Sequence, residues 1–455
     1  MAVEPPKPGP APRPELWKPL ALQSWGRMAA APCLAARPER LRELQAALAA
    51  PGGRALLPRG AGRSYGDACL NPGGAVVLTE RLNRLLAFDP ASGLLLAEPG
   101  VTFADLLRIF LPRGFLAPAS PGTAFVTLGG AVAHDVHGKN QHLAGSIGEH
   151  IAWFDLLLAD GSTSRVTPES DPALFRATIG GLGLTGILTA ICLRLEPVPS
   201  NALLVRRQRV PDLDAFLAGF EANAAAPYAV GWIDALAQGA ELGRGVLEVA
   251  GPSPEGLPDR PAKPRRLPFD LPGFALNRLS IAAFNELYWR RAPALAGEER
   301  VAYERFLYPL DAILDWNRLY GRGGFHQFQC VLPFREGEPA LRRLLETIAA
   351  GGNASFLAVL KAMGREGVGM LSFARPGYSL ALDIPARPGS AALFAALERI
   401  TVEAGGRVYL AKDAWLSPQG FAAMYPEAPE FQAVRARVDP DGAFSSGLSR
   451  RLGLG

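Results

Sequence analysis

The sequence contains little cysteine, and the cysteines that it has are far apart. Cys33, Cys69, Cys192 and Cys330 are the four cysteines among 455 residues, and no C-x-x-C pair occurs. A structural zinc site or a disulfide framework normally needs cysteines at short, regular spacings. We therefore expect four reduced thiols in a reducing compartment.

The sequence also lacks a strong charge of either sign and a long hydrophobic run. Its formal net charge of +4 is too dilute to indicate a nucleic-acid-binding protein. No stretch reaches the ~18 apolar residues of a membrane-spanning helix, and the proline-rich residues 1–15 lack the pattern of a signal peptide. We expect a flexible leader over 1–15 and a cytoplasmic or peripherally membrane-associated protein.

Apolar residues and glycine, in contrast, are plentiful. Hydrophobic residues make up 49% of the chain and charged residues 20%, which is the composition of a folded protein and not of a disordered one. The length predicts two to three domains of ~100–200 residues each. The 50 glycines and 41 prolines follow no repeat, but glycines are concentrated at 60–66, 122–138 and 180–186.

Short apolar runs bounded by turn residues predict the elements of the first half of the chain. Thr102 precedes apolar residues at helical spacing and is expected to cap that helix. Asp160-Gly161 is typical of a hairpin turn. Strands are predicted at 55–57, 76–78, 85–88, 94–98, 151–158 and 187–195, and a short helix at 171–177.

One amphipathic segment, 276–291, allows two interpretations. It carries Phe284, Leu287, Tyr288 and Trp289 beside two arginines. The favoured interpretation is a helix packed on the core. The alternative is peripheral membrane contact through 251–291, made by aromatic and arginine side chains.

Residues 181–186 match the dinucleotide fingerprint G-x-G-x-x-G. That fingerprint requires a strand before it and a helix after it, so that the pyrophosphate meets the helix N-terminus. Here the predicted order is reversed, and no acidic residue lies near the ~20-residue offset that the ribose requires. The segment therefore predicts a tight turn against a flat ligand and not an NAD site.

Residues 59–67 are a better candidate for binding phosphate. Gly60, Gly62 and Gly66 allow backbone N–H groups to converge on an anion, and Ser64 adds a hydroxyl donor. The segment is not a P-loop, because it lacks Gly-Lys-Ser/Thr. A purely structural glycine-rich turn is the alternative.

Four of the five histidines, His134, His137, His142 and His150, lie within one short region. Histidine binds zinc well, but the region lacks an H-E-x-x-H frame, which argues against a metal site. The glycine and small residues around it suit a backbone that approaches a large planar ligand closely.

These segments resemble the PCMH-type FAD-binding domain of the vanillyl-alcohol-oxidase superfamily, and within it the oxidases of polyprenyl-phosphoryl ribose. The resemblance extends from about residue 22 to Leu452, nearly the whole chain, and H-G-K-N and Y-L-A-K-D are its most specific motifs. The resembling segments are R-G-A-G-R-S-Y-G-D (59–67), P-G-T (121–123), G-G-A-V-A-H-D-V-H-G-K-N (129–140), G-L-G-L-T-G-I (181–187), W-N-R-L-Y-G (316–321), H-Q-F-Q (326–329), F-L-A-V-L-K (356–361), G-R-V-Y-L-A-K-D (406–413), A-M-Y-P (423–426) and V-D-P-D-G-A-F (438–444).

The resemblance implies an α+β fold in two parts. A two-part PCMH-type FAD-binding domain is expected beside a substrate domain with an antiparallel sheet flanked by helices. The expected boundaries are 16–197 for the FAD-binding domain, 198–405 for the substrate-binding domain and 406–455 for a C-terminal segment that completes the FAD-binding domain.

The resemblance also implies the cofactor and the residues around it. Many flavoenzymes of the superfamily attach FAD covalently through a histidine in the first loop, but residues 62–64 are Gly-Arg-Ser, so we expect non-covalent FAD. No metal is expected. The residues implied to bind FAD are Arg59, Gly60, Ala61, Gly62, Arg63, Ser64, Tyr65, Gly66, Asp67, Gly122, Thr127, Leu128, Gly129, Gly130, His134, His137, Ile187 and Tyr409.

Oxidation of a secondary alcohol needs a group that takes the hydroxyl proton or weakens the O–H bond. Lys412 lies between the apolar residues 409–411 and Asp413, and desolvation would lower its pKa enough for it to act as a base or to orient the hydroxyl. A surface lysine at a strand end is the alternative, against which the resemblance weighs. His137 is the competing base, and the sequence does not decide between the two.

Further residues are candidates for binding substrate. Lys139 and Lys361 would hold a phosphate as point charges. Gln327 and Gln329 alternate in a predicted strand, so both face one side and would bind sugar hydroxyls. Tyr65 and Trp232 are candidate pocket walls, although core packing would equally explain a lone tryptophan. With Lys412 the predicted substrate-binding set is Tyr65, Lys139, Trp232, Gln327, Gln329, Lys361 and Lys412.

The resemblance implies FAD-dependent oxidation of the 2′-hydroxyl of a polyprenyl-phosphoryl-β-D-ribose to the 2′-keto intermediate. A separate short-chain dehydrogenase/reductase would complete the epimerisation to an arabinose donor for cell-wall polysaccharide. Two alternatives remain open: an FAD-dependent oxidase of a soluble sugar, alditol or aldonolactone, and a flavin-fold protein that has lost catalysis. The lysines and the 251–291 segment favour the phosphorylated lipid, and retention of His137 and Lys412 favours an active enzyme.

Two positions depart from the family pattern. Ala381 stands where family members sensitive to covalent nitroaromatic inhibitors have a cysteine, so such trapping is expected to fail. Ser379 stands at a family asparagine, which changes the groups available for recognising the sugar.

Overall fold

A four-stranded sheet opens the chain. The computed structural model describes residues 16–27, 30–49, 52–258, 264–293, 297–352 and 356–454, and the leader predicted over 1–15 lies outside them. The strands β1 (Trp17–Leu22), β2 (Ala31–Ala36), β3 (Leu56–Arg59) and β4 (Ala75–Leu78) are arranged in the order β1-β2-β4-β3. All four residues of β4 are buried, because its apolar run lies between two parallel neighbours. Strand β3 leads directly into the first glycine loop.

A five-stranded antiparallel sheet follows. Its strands are β5 (Leu85–Asp89), β6 (Leu94–Ala97), β8 (Ile151–Leu157), β9 (Thr163–Val166) and β10 (Ile187–Arg194), in the order β5-β6-β10-β8-β9, while β7 (Phe115–Leu116) pairs with β11 (Glu196–Pro197). The predicted hairpin turn is confirmed between β8 and β9, where Gly161 has a φ of +85°. The predicted strands of the first half are confirmed to within a few residues.

An eight-stranded antiparallel sheet carries the second half. It contains β12 (Ala202–Val210), β13 (Tyr228–Ile233), β14 (Gly245–Pro252), β16 (Gly297–Ala302), β18 (Phe325–Leu332), β19 (Ala358–Met363), β20 (Gly377–Pro385) and β21 (Arg407–Val408), in the order β16-β12-β14-β13-β19-β20-β18-β21. The short strands β15 (Arg265–Arg266) and β17 (Ile313–Leu314) pair beside it.

Helices connect and cover these sheets. Thr102 caps the second of them, as predicted, by accepting a hydrogen bond from the backbone of Asp105. The α-helices are α1 (Leu41–Ala49), α2 (Phe103–Phe110), α3 (Leu128–Ala133), α4 (Gln141–Ala144), α5 (Pro172–Thr178), α6 (Leu213–Ala222), α7 (Arg278–Arg291), α8 (Tyr303–Leu307), α9 (Phe334–Gly351), α10 (Ser390–Glu403), α11 (Pro418–Met424), α12 (Ala428–Val438) and α13 (Gly447–Arg451).

Every residue of β18 is buried, because both faces of this strand are covered. Phe328 packs toward Phe394 of α10 on one face, and Gln327 and Gln329 point into a cavity on the other. The alternation predicted from the sequence is therefore correct. Two glutamines are thereby held at buried positions that face the cavity.

The C-terminal segment returns to the first sheet. Leu56 of β3 donates a backbone hydrogen bond to Ala443 and accepts one from Ser445, and Arg451 forms an ion pair with Asp67 at 2.8 Å. Strand β21 pairs with β18, so the large sheet continues past the predicted boundary at 405. The domain boundaries themselves stay a prediction.

Helix α7 refines one expectation. The predicted helix is confirmed, and Ile281 and Asn285 are buried, but Phe284, Leu287 and Tyr288 are 43%, 49% and 40% exposed. The helix therefore packs on the core through Ile281 and Asn285, while these three side chains stay partly exposed. The helix borders a cavity, which Phe284 and Tyr288 line.

All four cysteines are free and buried, as expected of reduced thiols. Among the described helices, none combines the length and the apolar character that crossing a bilayer requires.

Candidate active site

A cavity of about 810 Å³ lies where the three glycine-rich segments face the large sheet. Its size falls in the range of cofactor and ligand sites. Most of the residues predicted for the site line it: Arg59, Gly60, Ala61, Gly62, Arg63, Ser64, Tyr65, Gly122, Thr127, Gly129, Gly130, His134, His137, Lys139, Ile187, Trp232, Gln327, Gln329, Lys361, Tyr409 and Lys412.

Three predicted FAD contacts, Gly66, Asp67 and Leu128, lie behind the cavity wall. A Cβ atom at Gly66 would stand 1.9 Å from the carbonyl oxygen of Asp413, so glycine is needed for the first loop to meet the Y-L-A-K-D segment. Asp67 is held by Arg451, and Leu128 is fully buried in the core. These residues fix the loops instead of facing a ligand.

Close backbone contacts bring the first two glycine loops together. A Cβ atom at Gly60 would lie 2.2 Å from Oγ1 of Thr127, and one at Gly129 would lie 2.7 Å from Pro99. Thr127 itself caps α3 by accepting a hydrogen bond from the N–H of Gly130. Small residues are therefore required along this wall, which leaves the backbone accessible to a flat ligand.

Among the buried nitrogen atoms beside these loops that have no hydrogen-bond partner in the described protein are one of Arg63 and one of His134. Arg63 stacks over Trp25 at 4.4 Å and Phe125 at 5.0 Å, but its Nε is unpartnered. The Nδ1–H of His134 donates to the carbonyl oxygen of Gly130, and its Nε2 is unpartnered. Buried polar atoms are normally satisfied, so both nitrogens are available to a polar ligand.

The third glycine segment forms a tight turn between α5 and β10, in the order that the sequence predicted. Gly183 and Gly186 have φ values of +74° and +148°, and the N–H of Leu182 donates to Ala133. The turn lines the cavity beside Ile187. The prediction of a turn against a ligand, and not of an NAD site, agrees with this geometry.

The four clustered histidines do not converge. His142 and His150 bond to the backbone carbonyls of Ala226 and Ala144, whereas His134 and His137 line the cavity. No group of three metal-ligating side chains occurs among the described residues.

His137 lies deep in the cavity and is neutral. Its Nε2 is 2.9 Å from Nε2 of Gln329, and because an amide NH₂ donates, the histidine nitrogen accepts. Its ring packs against Phe373 and Tyr409. Burial lowers the pKa of His137 well below its ordinary value, and the cations of Lys361 and Lys412 lower it further.

Lys412 also lines the cavity, with its Nζ 4.1 Å from the centre of the Tyr65 ring. Burial lowers its pKa to about 8, and the carboxylate of Asp383 opposes that shift. The backbone fixes this arrangement, since the N–H of Tyr65 donates to Ala411. A lysine that loses its proton near neutral pH can accept a proton from an alcohol.

The remaining two lysines of the cavity differ in their partners. Lys139 donates to the carbonyl oxygen of Phe306 at 2.5 Å and stacks on the Phe306 ring at 4.2 Å. Lys361 has no hydrogen bond or ion pair with any described residue. Burial, reinforced by Lys412 and Lys139, lowers the pKa of Lys361 to about 7.

Asp383 is a residue that the sequence reasoning passed over. It is fully buried on β20 and accepts hydrogen bonds from Gln327 at 2.6 Å and Tyr320 at 3.1 Å. Burial raises the pKa of Asp383 to about 7. Its signal was present, because a carboxylate interrupts the apolar run 380–385 at a position expected to be buried.

Other missed residues form the walls and the mouth of the cavity, and they include Glu248, Phe284, Tyr288, Leu310, Ile313 and Trp316. The two positions that depart from the family pattern are also here. Ala381 lines the cavity, and buried Ser379 lies 3.5 Å from Nε2 of Gln329. The cavity wall at Ala381 therefore presents a methyl group and no thiol.

Comparison with known proteins shows which family the chain belongs to. Residues 32–167 match the FAD binding domain family, and residues 381–452 match the D-arabinono-1,4-lactone oxidase family. The chain is 36% identical to decaprenylphosphoryl-β-D-ribose oxidase from Mycolicibacterium smegmatis over 95% of its own length and 97% of that protein. The chain belongs to the decaprenylphosphoryl-β-D-ribose oxidase family. It is an FAD-dependent oxidoreductase that acts on CH–OH groups, and the predicted α+β fold and FAD cofactor are confirmed.

More distant relatives share only part of the chain. An alditol oxidase from Streptomyces is 29% identical over 37% of this chain and 40% of its own length. A putative D-arabinono-1,4-lactone oxidase from Neurospora crassa is 29% identical over 40% of this chain and 33% of its own length. These similarities are too short to indicate a shared substrate.

The cavity fits FAD by its own chemistry. The glycine loops leave a wall that a Cβ would fill, and the unpartnered nitrogens of Arg63 and His134 face the same space. The residues that would hold the cofactor are those of the first loop, Arg59 to Tyr65, together with Gly122, Thr127, Gly129, Gly130, His134, Ile187 and Tyr409.

Proposed function

We propose that the enzyme oxidises the 2′-hydroxyl of a polyprenyl-phosphoryl-β-D-ribose to the 2′-ketone. Two neighbouring lysines carry this proposal, since Lys361 and Lys412 share one desolvated cavity and neither has a carboxylate or carbonyl partner among the described residues. Desolvated, unpaired cations favour an anionic ligand. In the proposed substrate the phosphate on C1′ is adjacent to the reacting carbon C2′. The two lysines would therefore act on neighbouring groups, the phosphate and the 2′-hydroxyl.

Lys412 is the proposed base. When bound, FAD supplies the hydride acceptor. The lone pair of His137 Nε2 is engaged by the amide of Gln329, so this histidine has no free acceptor there. The pKa of Lys412, lowered to about 8 by burial, leaves a fraction of its amine free to take the hydroxyl proton near neutral pH.

Two glutamines would orient the sugar. Gln327 donates to Asp383, and Gln329 donates to His137, so each amide is held in place by a buried partner. Their remaining donor and acceptor positions would be available for ribose hydroxyls. Fixed polar groups of this kind position a reacting bond at little entropic cost. Tyr65 and Trp232 would form the walls beside them.

We also propose that the cofactor is bound without a covalent link. The first loop contains no histidine, cysteine or tyrosine other than Tyr65, whose ring lies under Lys412. Acid precipitation should release the yellow cofactor into the supernatant. Colour that stays in the pellet would contradict non-covalent attachment.

A lipid-facing mouth is consistent with the proposed substrate. Phe269, Phe274 and Leu279 are 62%, 79% and 82% exposed, and Leu279 follows Arg278 at the start of α7, a helix that borders the cavity. Exposed apolar side chains beside arginines are typical of a surface that enters a membrane interface. We propose peripheral membrane contact here, at the end of the cavity through which a prenyl chain would leave.

Vesicle sedimentation tests this contact. The doubly substituted variant Phe274→Ser/Leu279→Ser should pellet less with vesicles that contain anionic phospholipid than the unmodified enzyme does. Leu86→Ser is the matched control, because Leu86 is 45% exposed on β5. Unchanged pelleting, or an equal loss in the control, would contradict the proposal.

The ketone product would need a second enzyme. The chain's G-x-G-x-x-G segment follows a helix and precedes a strand, so it offers no nicotinamide-dinucleotide site. A separate short-chain dehydrogenase/reductase is the proposed partner that would reduce the ketone and complete the epimerisation. Arabinosyl product should form only when such a reductase and its reduced nicotinamide are added to the oxidase reaction.

Anaerobic bleaching of the flavin tests the proposed function. Farnesyl-phosphoryl-β-D-ribose at a saturating concentration should bleach the visible absorbance of the flavin, whereas free ribose and ribitol should not. Bleaching by the free sugar or the alditol alone would favour the soluble-substrate alternative. That alternative rests on relatives that match two fifths of the chain or less.

A further inference from the structure

The cations that line the cavity are accompanied by one carboxylate. Arg59, Arg63, Lys139, Lys361 and Lys412 line it, and Glu248 is the single acidic residue among the described lining residues. Glu248 lies on β14, in the middle of the large sheet, beside Val230 of β13 and Arg207 of β12. Its side chain is 19% exposed. A carboxylate in this cavity weakens the attraction that the surrounding cations exert on an anionic ligand.

Glu248 belongs to a group of four charges that cancel. Arg207 donates from Nε to Glu248 at 2.6 Å and from a terminal nitrogen to Glu299 at 3.1 Å. Lys139 lies within the field of Glu248, which opposes the lowering of the lysine's pKa by burial to about 8. Two cations and two carboxylates leave no net charge, although Lys139 itself lines the cavity.

We propose that Glu248 limits the cavity to ligands of a single negative charge, so that the enzyme selects a phosphodiester over a phosphomonoester of the same sugar. This inference rests on the proposed function and adds the charge class of the substrate. Glu248 offsets the charge of Lys139, so this pair adds no net positive charge to the cavity. Lys361 and Lys412 remain as the cations for the ligand, and the second of them must lose its proton to act as a base.

The two classes of ligand differ in charge at neutral pH. A sugar 1-phosphate is a monoester whose second ionisation gives it about −1.5 to −2 charges at pH 7, whereas a prenyl-phosphoryl sugar is a diester with one. With Lys139 already balanced by Glu248, the second charge of a monoester would have no cation left to pair with it, and burying an unpaired charge is costly. Specificity of this kind rejects the sugar 1-phosphate without any contact to the prenyl chain.

A pair of substrates separates the effect of the phosphate charge from that of the prenyl chain. Methyl-phosphoryl-β-D-ribose and β-D-ribose 1-phosphate carry the same sugar and differ by one methyl group and one ionisable oxygen. The measurement is kcat/KM for each, from flavin reduction by the FAD-loaded enzyme at pH 7.5. The unmodified enzyme should favour the diester, and Glu248→Gln should shift the ratio at least about tenfold toward the monoester.

Two further variants control the test. Glu299→Gln removes the other carboxylate on Arg207, which lies outside the cavity lining, and should leave the ratio within about twofold. Lys139→Met removes the cation that Glu248 neutralises, and it should move the ratio further toward the diester. If Glu248→Gln does not fold, the ratio in the unmodified enzyme at about pH 5.5 tests the charge rule, because the monoester then carries little more than one charge. The ratio should move toward the monoester, and an unchanged ratio would overturn the inference.

Each outcome decides a separate question. An unmoved ratio in Glu248→Gln, or an equal shift in Glu299→Gln, would overturn the inference while the unmodified enzyme still oxidises farnesyl-phosphoryl-ribose. If the unmodified enzyme oxidises neither farnesyl-phosphoryl-ribose nor its methyl analogue, the proposed function fails and this inference fails with it.

Discussion

At the scale of single residues, the site depends on groups that burial holds away from their ordinary ionisation. The pKa of Lys412 is lowered to about 8 and that of Lys361 to about 7, while burial raises the pKa of Asp383 to about 7. Desolvation is the largest cause in each case. Shifts of this kind, in a cavity, are typical of catalytic sites.

Removal of the Lys412 amine should stop the reaction and leave the cofactor bound. Lys412→Met is expected to slow flavin reduction by about 10²–10⁴-fold, the usual contribution of a general base. The rate in the unmodified enzyme should rise with pH through about 8 and then level, because only the neutral amine accepts a proton. Stopped-flow absorbance measures both.

Lys361→Met is the comparison for Lys412→Met. Lys361 is proposed to bind phosphate, so its loss should raise KM more than it lowers the limiting rate. The expected decrease is much larger than threefold. If the flavin-reduction rate of Lys412→Met stays within about threefold of that of the unmodified enzyme, Lys412 is therefore not the base.

Asp383 should make stability fall as pH rises. Its folded-state pKa of about 7 lies above the unfolded value of about 4, so the folded protein binds more protons between these limits. Stability is fully present below pH 4 and is lost toward pH 7, by at most about 4 kcal/mol. Asp383→Asn should remove that slope.

Denaturant titrations at pH 5 and pH 8 measure this slope in the two proteins. Asp441→Asn is the control, because Asp441 is exposed. It lies in the turn just before Phe444, which pairs with Leu56 of β3. A slope that persists in Asp383→Asn would mean that other groups set the pH dependence.

At the scale of elements, the site depends on loops that approach one another at glycines. At these positions any side chain would collide with the facing segment. Gly66 meets Asp413, and Gly60 meets Thr127. These contacts join the loop after β3 to the segment after β21 and to the start of α3. The elements therefore place the cofactor wall and Lys412 together, although they are far apart in the chain.

Gly66→Ala should loosen this junction. The added Cβ would stand 1.9 Å from the Asp413 carbonyl, and such overpacking typically costs about 1–3 kcal/mol. We expect a lower melting temperature and weaker FAD binding, measured by calorimetry and by flavin fluorescence. Gly297→Ala, where nothing lies within 4 Å of the added atom, should change neither.

The elements of the first half were predictable because their signals are local. Thr102, Asp160-Gly161 and the reversed order around 181–186 each follow from residues within a few positions. The exposure of α7 was not predictable in this way. Its apolar side chains have helical spacing, but whether a core or an open cavity mouth faces them depends on segments far away in sequence.

At the scale of the whole molecule, the cavity is built by parts that cannot form it alone. Arg59 to Tyr65 come from the start of the chain, Gln327 and Gln329 from the large sheet, and Lys412 from the returning C-terminal segment. Motifs identified these residues one by one. The partners of Glu248 and Asp383 follow from the register of the large sheet, which places Glu248 opposite Arg207 and Asp383 opposite Gln327.

The central claim is that this cavity removes hydride from C2′ of a phosphoryl-linked ribose. Anaerobic flavin reduction by farnesyl-phosphoryl-β-D-ribose, with deuterium at C2′ or at C3′, measures it directly. Deuterium at C2′ should make reduction several times slower, and deuterium at C3′ should leave the rate unchanged. A slower rate with the C3′ label alone, or no reduction by either compound, would contradict the account.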